Sequence, residues 1–232
     1  MKNTHVIVVA ILAILLVASI FVVNYYQETG RLPWDGETVG TETEEPVEEV
    51  ESAEEESVET NESEGVDMGE IAVIETNKGT IEIELDRENA PVTVENFVSY
   101  VNSGFYDGTV FHRVMPTFMI QGGGFTAEGA QKETNAPIKL ESNNGLKNLQ
   151  GTVAMARTND PDSATSQFFI NVVDNPALNY APGNDGYAVF GKVVSGMDVV
   201  DGIKSVKTTT KYGYYADWPV EEVIIEKVYM KK

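Results

Sequence analysis

Cysteine is absent from the 232-residue chain. That excludes disulfides, thiolate nucleophiles, zinc-thiolate sites and a lipid-bearing anchor cysteine. Histidine is almost as scarce, with only His5 and His112 present. A single histidine in the C-terminal two-thirds leaves neither a paired-histidine metal site nor a triad with a spare base. Basic residues number 16 against 37 acidic ones. The chain therefore lacks the positive footprint that displaces counterions from phosphates, and no nucleic-acid partner is expected. The triple glycine Gly122, Gly123 and Gly124 is not followed by Gly-Lys-Ser/Thr, so it offers no phosphate cradle. It reads instead as a bulge or a close backbone approach after a strand.

What is present falls into three parts. Residues 6–23, VIVVAILAILLVASIFVV, carry no charge and no proline over 18 positions, long enough to cross a hydrocarbon core. The run leads into Asn24, Tyr25 and Tyr26 rather than a small-x-small cleavage site, so residues 1–26 read as an uncleaved transmembrane anchor. Lys2 before the span and acids after it place the following domain outside the cytoplasmic membrane. Residues 1–70 hold 17 of the acids against Lys2 and Arg31 alone. Within this region, residues 36–68 have scattered single valines and no aromatic residue. Such a segment cannot bury enough apolar area to offset its ordering entropy, so residues 27–68 are expected to be a disordered, self-repelling linker.

From about Glu70 the pattern takes a period of two. Ile81, Ile83 and Leu85 alternate with Glu82 and Glu84, and Asn77-Lys78-Gly79 supplies a turn, so the domain opens with a β-hairpin. Pro91 then starts an amphipathic helix with Val94, Phe97, Val98 and Val101 on one face and Gly104 at its end. Short apolar runs follow at 110–114, 118–121, 152–156, 167–172, 187–194 and 223–230. A second helical pattern, GMDVVDGIKSV, lies before the last of them. Many short strands with two helices predict a closed or nearly closed β-barrel with helices over its ends, occupying residues 69–232.

Within FHRVMPTFMIQGGGF, residues 111–125, an arginine stands among apolar groups. Alternation puts Arg113 on one face with Phe111 and Met115 and turns His112 to the other, where a structural hydrogen bond is expected. Phe168 and Phe169 must likewise face opposite ways, one of them into the core. Met155 is expected in the core. Carboxylate pairs such as Glu221-Glu222 read as solvated.

FHRVMPTFMIQGGGF, GTVAMARTNDPDSATSQFFINVVDNPALN and YAVFGKVVSGMDVVDGI, in this order and spacing, resemble the cyclophilins, a family of peptidyl-prolyl cis-trans isomerases, in its compact prokaryotic form. The resemblance covers residues 70–232. It implies a mainly β fold, a closed eight-stranded antiparallel β-barrel capped by two α-helices. It further implies Arg113 as the catalytic arginine, with Phe118 and Gln121 beside it. The substrate would be bound by Met119, Ala156, Arg157, Gln167, Phe169, Leu178 and Tyr187, of which Met119, Phe169 and Leu178 join Phe118 in an apolar proline pocket.

Ala177 and Tyr187 stand where well-known eukaryotic members carry tryptophan and histidine. The resemblance therefore implies weak cyclosporin binding with isomerase activity retained. No metal and no organic cofactor is implied, because rotation about an X-Pro bond has no redox step and no group transfer. The implied partners are proline-containing unfolded or flexible polypeptides, met by a monomer held at the membrane through its N-terminal helix. Two rival readings keep the sequence but not the chemistry: a proline-peptide binding module or holdase, and a surface structural protein whose acidic stalk is the functional part.

Overall fold

The computed structural model describes residues 69–213 and 215–232. The expected membrane span and acidic linker lie outside the described residues. Among the described residues, no helix is long and apolar enough to cross a membrane.

Strands β1 (Ile71–Thr76) and β2 (Gly79–Leu85) form the opening hairpin, with Ala72 opposite Ile83 and Ile74 opposite Ile81. All four of these side chains are buried, so the period-two pattern became the inner face of a sheet. Helix α1 (Pro91–Asn102) follows. Its cap residue, Ala90, has no side-chain acceptor. The Glu141 carboxylate replaces it, accepting from the Val92 and Thr93 amides at 3.1 and 2.8 Å and so satisfying donors that a helix start leaves open.

The chain continues through β3 (Thr109–Val114), β4 (Met119–Thr126), β5 (Thr152–Met155), β6 (Phe168–Asn171) and β7 (Val189–Ser195). Helix α2 (Met197–Lys204), a hairpin of β8 (Thr208–Lys211) and β9 (Tyr215–Pro219), and the last strand β10 (Ile225–Met230) complete it. Eight strands lie in the order β10-β1-β2-β7-β5-β6-β4-β3, all antiparallel.

The barrel is nearly closed rather than closed. Its seam between β3 and β10 is a single bridge, Val110 to Ile224, with amide bonds from Gly108 to the Ile225 carbonyl and from Phe111 to that of Val223. Phe97 of α1 reaches into the interior against Tyr106, Phe168 and Phe190, at ring separations of 5.3, 5.7 and 5.2 Å. The interior is thus a packed core, with Met155 and Phe168 in it as expected.

Two features depart from the simple pattern. The β8-β9 hairpin was not expected. It lays Trp218 and Tyr215 against Phe125 and Val110 as a second apolar cluster outside the barrel. In β3, Phe111 faces Gly122 and Arg113 faces Gln121, so His112 is an extra residue with no partner opposite. This bulge cancels the alternation. Phe111 and Val114 point into the main core, while His112 packs outward on Phe125 and Trp218 and Arg113 also lies outward. The expected shared face of Phe111 and Arg113 is therefore corrected.

Candidate active site

A single row of residues crosses five strands on the outer wall of the barrel. Arg113 stands opposite Gln121, Gln121 opposite Phe169, Phe169 opposite Ala154, and Ala154 opposite Val189. Directly opposed residues share a face. Because Phe168 and Ile170 fill the interior, this row looks outward. Around it, Met119, Ala154, Phe169 and Val189 form a buried apolar cluster, joined by the partly buried Met115, Phe118, Leu146, Ala156, Leu178 and Tyr187. Every apolar residue expected in the site falls in this cluster. Leu146, Ala154 and Val189 were not expected there, although Ala154 and Val189 lie inside the quoted motifs; Met115 was expected on Arg113's face and joins the cluster there.

Arg113 is half-buried. Among the described residues, no hydrogen bond or ion pair engages its guanidinium, whose central carbon lies 6.0 Å from the centre of the Phe118 ring. The other expected arginine is engaged. Arg157 donates through Nε and Nη2 to the Gly186 carbonyl at 3.0 and 2.8 Å and through Nη1 to that of Thr158 at 2.8 Å. It also stacks 4.6 Å from the Tyr187 ring centre, and that ring meets Phe169 edge-on at 5.7 Å. Its side chain is thereby tied to the loop segments that border the cluster.

The two glutamines meet each other, Gln121 Nε2 donating to Gln167 Oε1 at 2.8 Å. Glycine makes this possible. A Cβ on Gly124 would stand 2.5 Å from Gln167 Cγ, so only a bare backbone lets Gln167 cross the strand. Gly123 has φ +78°, and a Cβ there would stand 2.8 Å from Tyr106 Cε1 and 3.0 Å from Phe168 Cδ1. The triple glycine is thus a bulge and a close approach inside β4 rather than after it.

His112 sits just beneath, 6 % exposed. Burial pushes its pKa down to about 4, which the Val110 backbone and the Gln167 side chain offset only in part, with Arg113 adding to the depression. Its Nδ1 has no hydrogen-bond partner, so the expected structural hydrogen bond is replaced at that atom by aromatic packing. A cavity of about 600 Å³ adjoins the cluster through Leu146 and Val189. Two of its lining cations, Arg87 and Lys192, are paired with Glu70 and Glu84, each at 2.6 Å.

A nearly closed eight-stranded barrel with two helices, bearing an arginine beside an outer apolar slot, defines the cyclophilin class of fold. The family model for "Cyclophilin type peptidyl-prolyl cis-trans isomerase/CLD" matches residues 71–230, and the chain belongs to that family. It is a peptidyl-prolyl cis-trans isomerase. A peptidyl-prolyl cis-trans isomerase of Acinetobacter baylyi is 58 % identical over 158 residues, covering 68 % of this chain and 84 % of the relative. Peptidyl-prolyl cis-trans isomerase B of Escherichia coli K12 is 56 % identical over 156 residues, covering 66 % of this chain and 94 % of the relative. Among solved structures, a cyclophilin-type isomerase of Cryptosporidium parvum, crystallised in the presence of the dipeptide Ala-Pro, superposes with a TM-score of 0.58. It is 27 % identical, and the match covers 70 % of this chain and 99 % of that one.

Proposed function

We propose that the outer apolar cluster receives the proline ring of a flexible polypeptide and that Arg113 lowers the barrier to rotation of the preceding peptide bond. The carrying observation is the guanidinium, unpaired among the described residues, at the edge of that cluster. Rotation meets a barrier of about 18–20 kcal/mol, because the amide carbon and nitrogen share partial double-bond character. In the twisted transition state the prolyl nitrogen regains its lone pair and can accept a hydrogen bond from Arg113. The planar ground state accepts one poorly, so the interaction favours the transition state selectively.

Phe118, Met119, Phe169 and Leu178 hold the ring while the preceding carbonyl swings, and Gln121 holds a polar group of the flanking peptide. Ala156, Arg157 and Tyr187 border the groove on the far side of Phe169. An acceleration of roughly 10⁵-fold corresponds to about 7 kcal/mol, within reach of oriented binding and one desolvated hydrogen bond.

The domain acts, in this reading, as a monomer anchored by residues 1–26 and carried on the linker 27–68, and it assists folding of proteins outside the cytoplasmic membrane. The uncharged run at 6–23 and the acids after it support this. The test has two parts. The full chain in detergent should accelerate cis-to-trans conversion of an alanyl-prolyl peptide. In sealed cells, added protease should remove the domain. Binding of proline peptides without acceleration would make it a holdase, and protection from protease would place it on the cytoplasmic side. Cyclosporin should inhibit weakly, since the exposed Ala177 offers no indole at the rim; submicromolar inhibition would refute that.

A further inference from the structure

Behind the apolar cluster lies a feature that neither hydropathy nor the mechanism accounts for: three buried asparagines in a place where leucine would pack. Asn171, Asn148 and Asn175 are 0, 1 and 8 % exposed. A buried amide is costly unless its polar atoms are matched, and here they are matched in one continuous line. Asn175 Nδ2 donates to the Phe118 carbonyl at 2.8 Å and to Asn171 Oδ1 at 2.7 Å. Asn171 Nδ2 donates to Thr152 Oγ1 at 2.9 Å and to Asn148 Oδ1 at 3.2 Å. Asn148 Nδ2 donates to the Leu178 carbonyl at 3.0 Å.

Backbone bonds brace the same line. The Asn175 amide donates to the Asn148 carbonyl at 2.8 Å, and the Asn148 amide donates to Asn179 Oδ1 at 2.7 Å.

We propose that Asn148, Asn171 and Asn175 are positioning residues, a buried amide spine that sets the spacing between Phe118 and Leu178, the two lips of the proline pocket. This rests on the reading of the outer cluster as that pocket. Phe118 belongs to the turn before β4, and Leu178 to a short 3-10 helix, Pro176–Leu178. Backbone bonds tie each end separately, the Val172 amide donating to the Phe118 carbonyl at 3.2 Å and the Tyr187 amide to the Leu178 carbonyl at 2.9 Å, but no strand pairing joins the two segments directly, and the amide line is the side-chain link between them.

The spine has one allowed polarity. A carbonyl at the Leu178 end can only accept, so Asn148 must turn its Nδ2 there and its Oδ1 toward Asn171. Asn171 must then donate to it and present its own Oδ1 to Asn175, whose Nδ2 is left to meet the Phe118 carbonyl. Each amide orientation dictates the next. A network with one solution holds its ends in one place, which apolar packing would not do.

The test pairs two isosteric substitutions in the full chain. Asn175→Val removes the donor to Phe118, whereas Asn175→Thr keeps a hydroxyl that can donate. Assays are run with an alanyl-prolyl peptide at a temperature where far-UV circular dichroism is native for each variant. Asn175→Val is expected to lower kcat/KM roughly tenfold, mainly through KM, because a displaced lip weakens the grip on the ring in ground and transition states alike. Asn175→Thr should recover part of this.

The matched control is Thr109→Val, which deletes a buried hydroxyl bonded to the Tyr106 carbonyl at 2.6 Å and should lower the melting temperature with KM unchanged. Should Asn175→Val fail to fold, Asn179→Ala loosens only Asn148 and is expected to raise KM roughly two- to threefold. Equal KM values for the Val and Thr variants, the same KM change in Thr109→Val, or an unchanged KM in Asn179→Ala would overturn the spine while leaving the pocket. An unchanged KM in Phe118→Ala would overturn the pocket itself, and the spine's role with it.

Discussion

Replacing Arg113 by alanine is expected to lower kcat/KM for an alanyl-prolyl peptide by roughly two to three orders of magnitude, the loss typical of removing one preorganised donor from a transition state. The fold should be unaffected. The guanidinium makes no hydrogen bond or ion pair among the described residues, so its removal leaves no buried polar group unmatched. Affinity for the peptide should fall much less than the rate, because in the proposed binding mode the apolar cluster of Phe118, Met119, Phe169 and Leu178 holds the proline ring. Arg113→Lys should restore little. An ammonium on a flexible stem is strongly hydrated and lacks the planar fork, so it neither reaches the prolyl nitrogen at the right angle nor gives up its water cheaply. Single-turnover kinetics beside peptide titration separates the two quantities. A variant that loses binding and rate equally would mean that Arg113 anchors substrate instead of stabilising the twisted amide.

The second large effect is on stability in acid. His112 has its pKa lowered from 6.5 to about 4 in the folded protein. The unfolded chain therefore binds the proton first as pH falls, and stability drops across the window from about 6.5 down to 4, below which both states are protonated. Above pH 6.5 the imidazole is neutral in both states and contributes no slope. A shift of this size corresponds to ~3 kcal/mol across the window, a large fraction of the stability of a domain this size. Urea unfolding at pH 7 and pH 4.5, with His112→Gln beside the parent, is the measurement. The carboxylates titrate alike in both proteins, so the difference between the two slopes isolates His112. Parallel slopes would mean that His112 is solvated in solution and that the aromatic cluster of Phe125 and Trp218 does not seal it.

The barrel could be read from residues 81–101 onward because those residues obey one period at a time. Ile81, Ile83 and Leu85 alternate without interruption, and Val94, Phe97 and Val101 keep to one side of a helix. The period failed at His112, where one inserted residue turns two neighbours to the same side, and nothing in the local composition marks that insertion. The β8-β9 hairpin was missed because Thr208, Thr209 and Thr210 are all exposed and carry no apolar alternation, although Trp218 and the Tyr212-Gly213 turn were signals. At the site, the motif residues came together as the resemblance implied. Leu146, Ala154 and Val189 did not announce themselves, since each looks like any core residue until the sheet order brings it outward. The asparagine spine was hidden for the opposite reason. Asn is most often a turn residue, and INVVDNPALN reads as a strand followed by a loop.

The pairing of the first strand with the last has a consequence for how the chain is made. Ala72 lies opposite Met230, so one edge of β1 stays bare until synthesis has reached residues 225–230. At about 5–20 residues per second, that edge waits on the order of ten seconds for its partner. Throughout that interval the β1-β2 hairpin is an open strand edge, the kind of surface on which neighbouring chains add. Barrel completion therefore waits on the strand made about 150 residues later, Ile225–Met230, and until then the first hairpin must be kept from pairing with a neighbour.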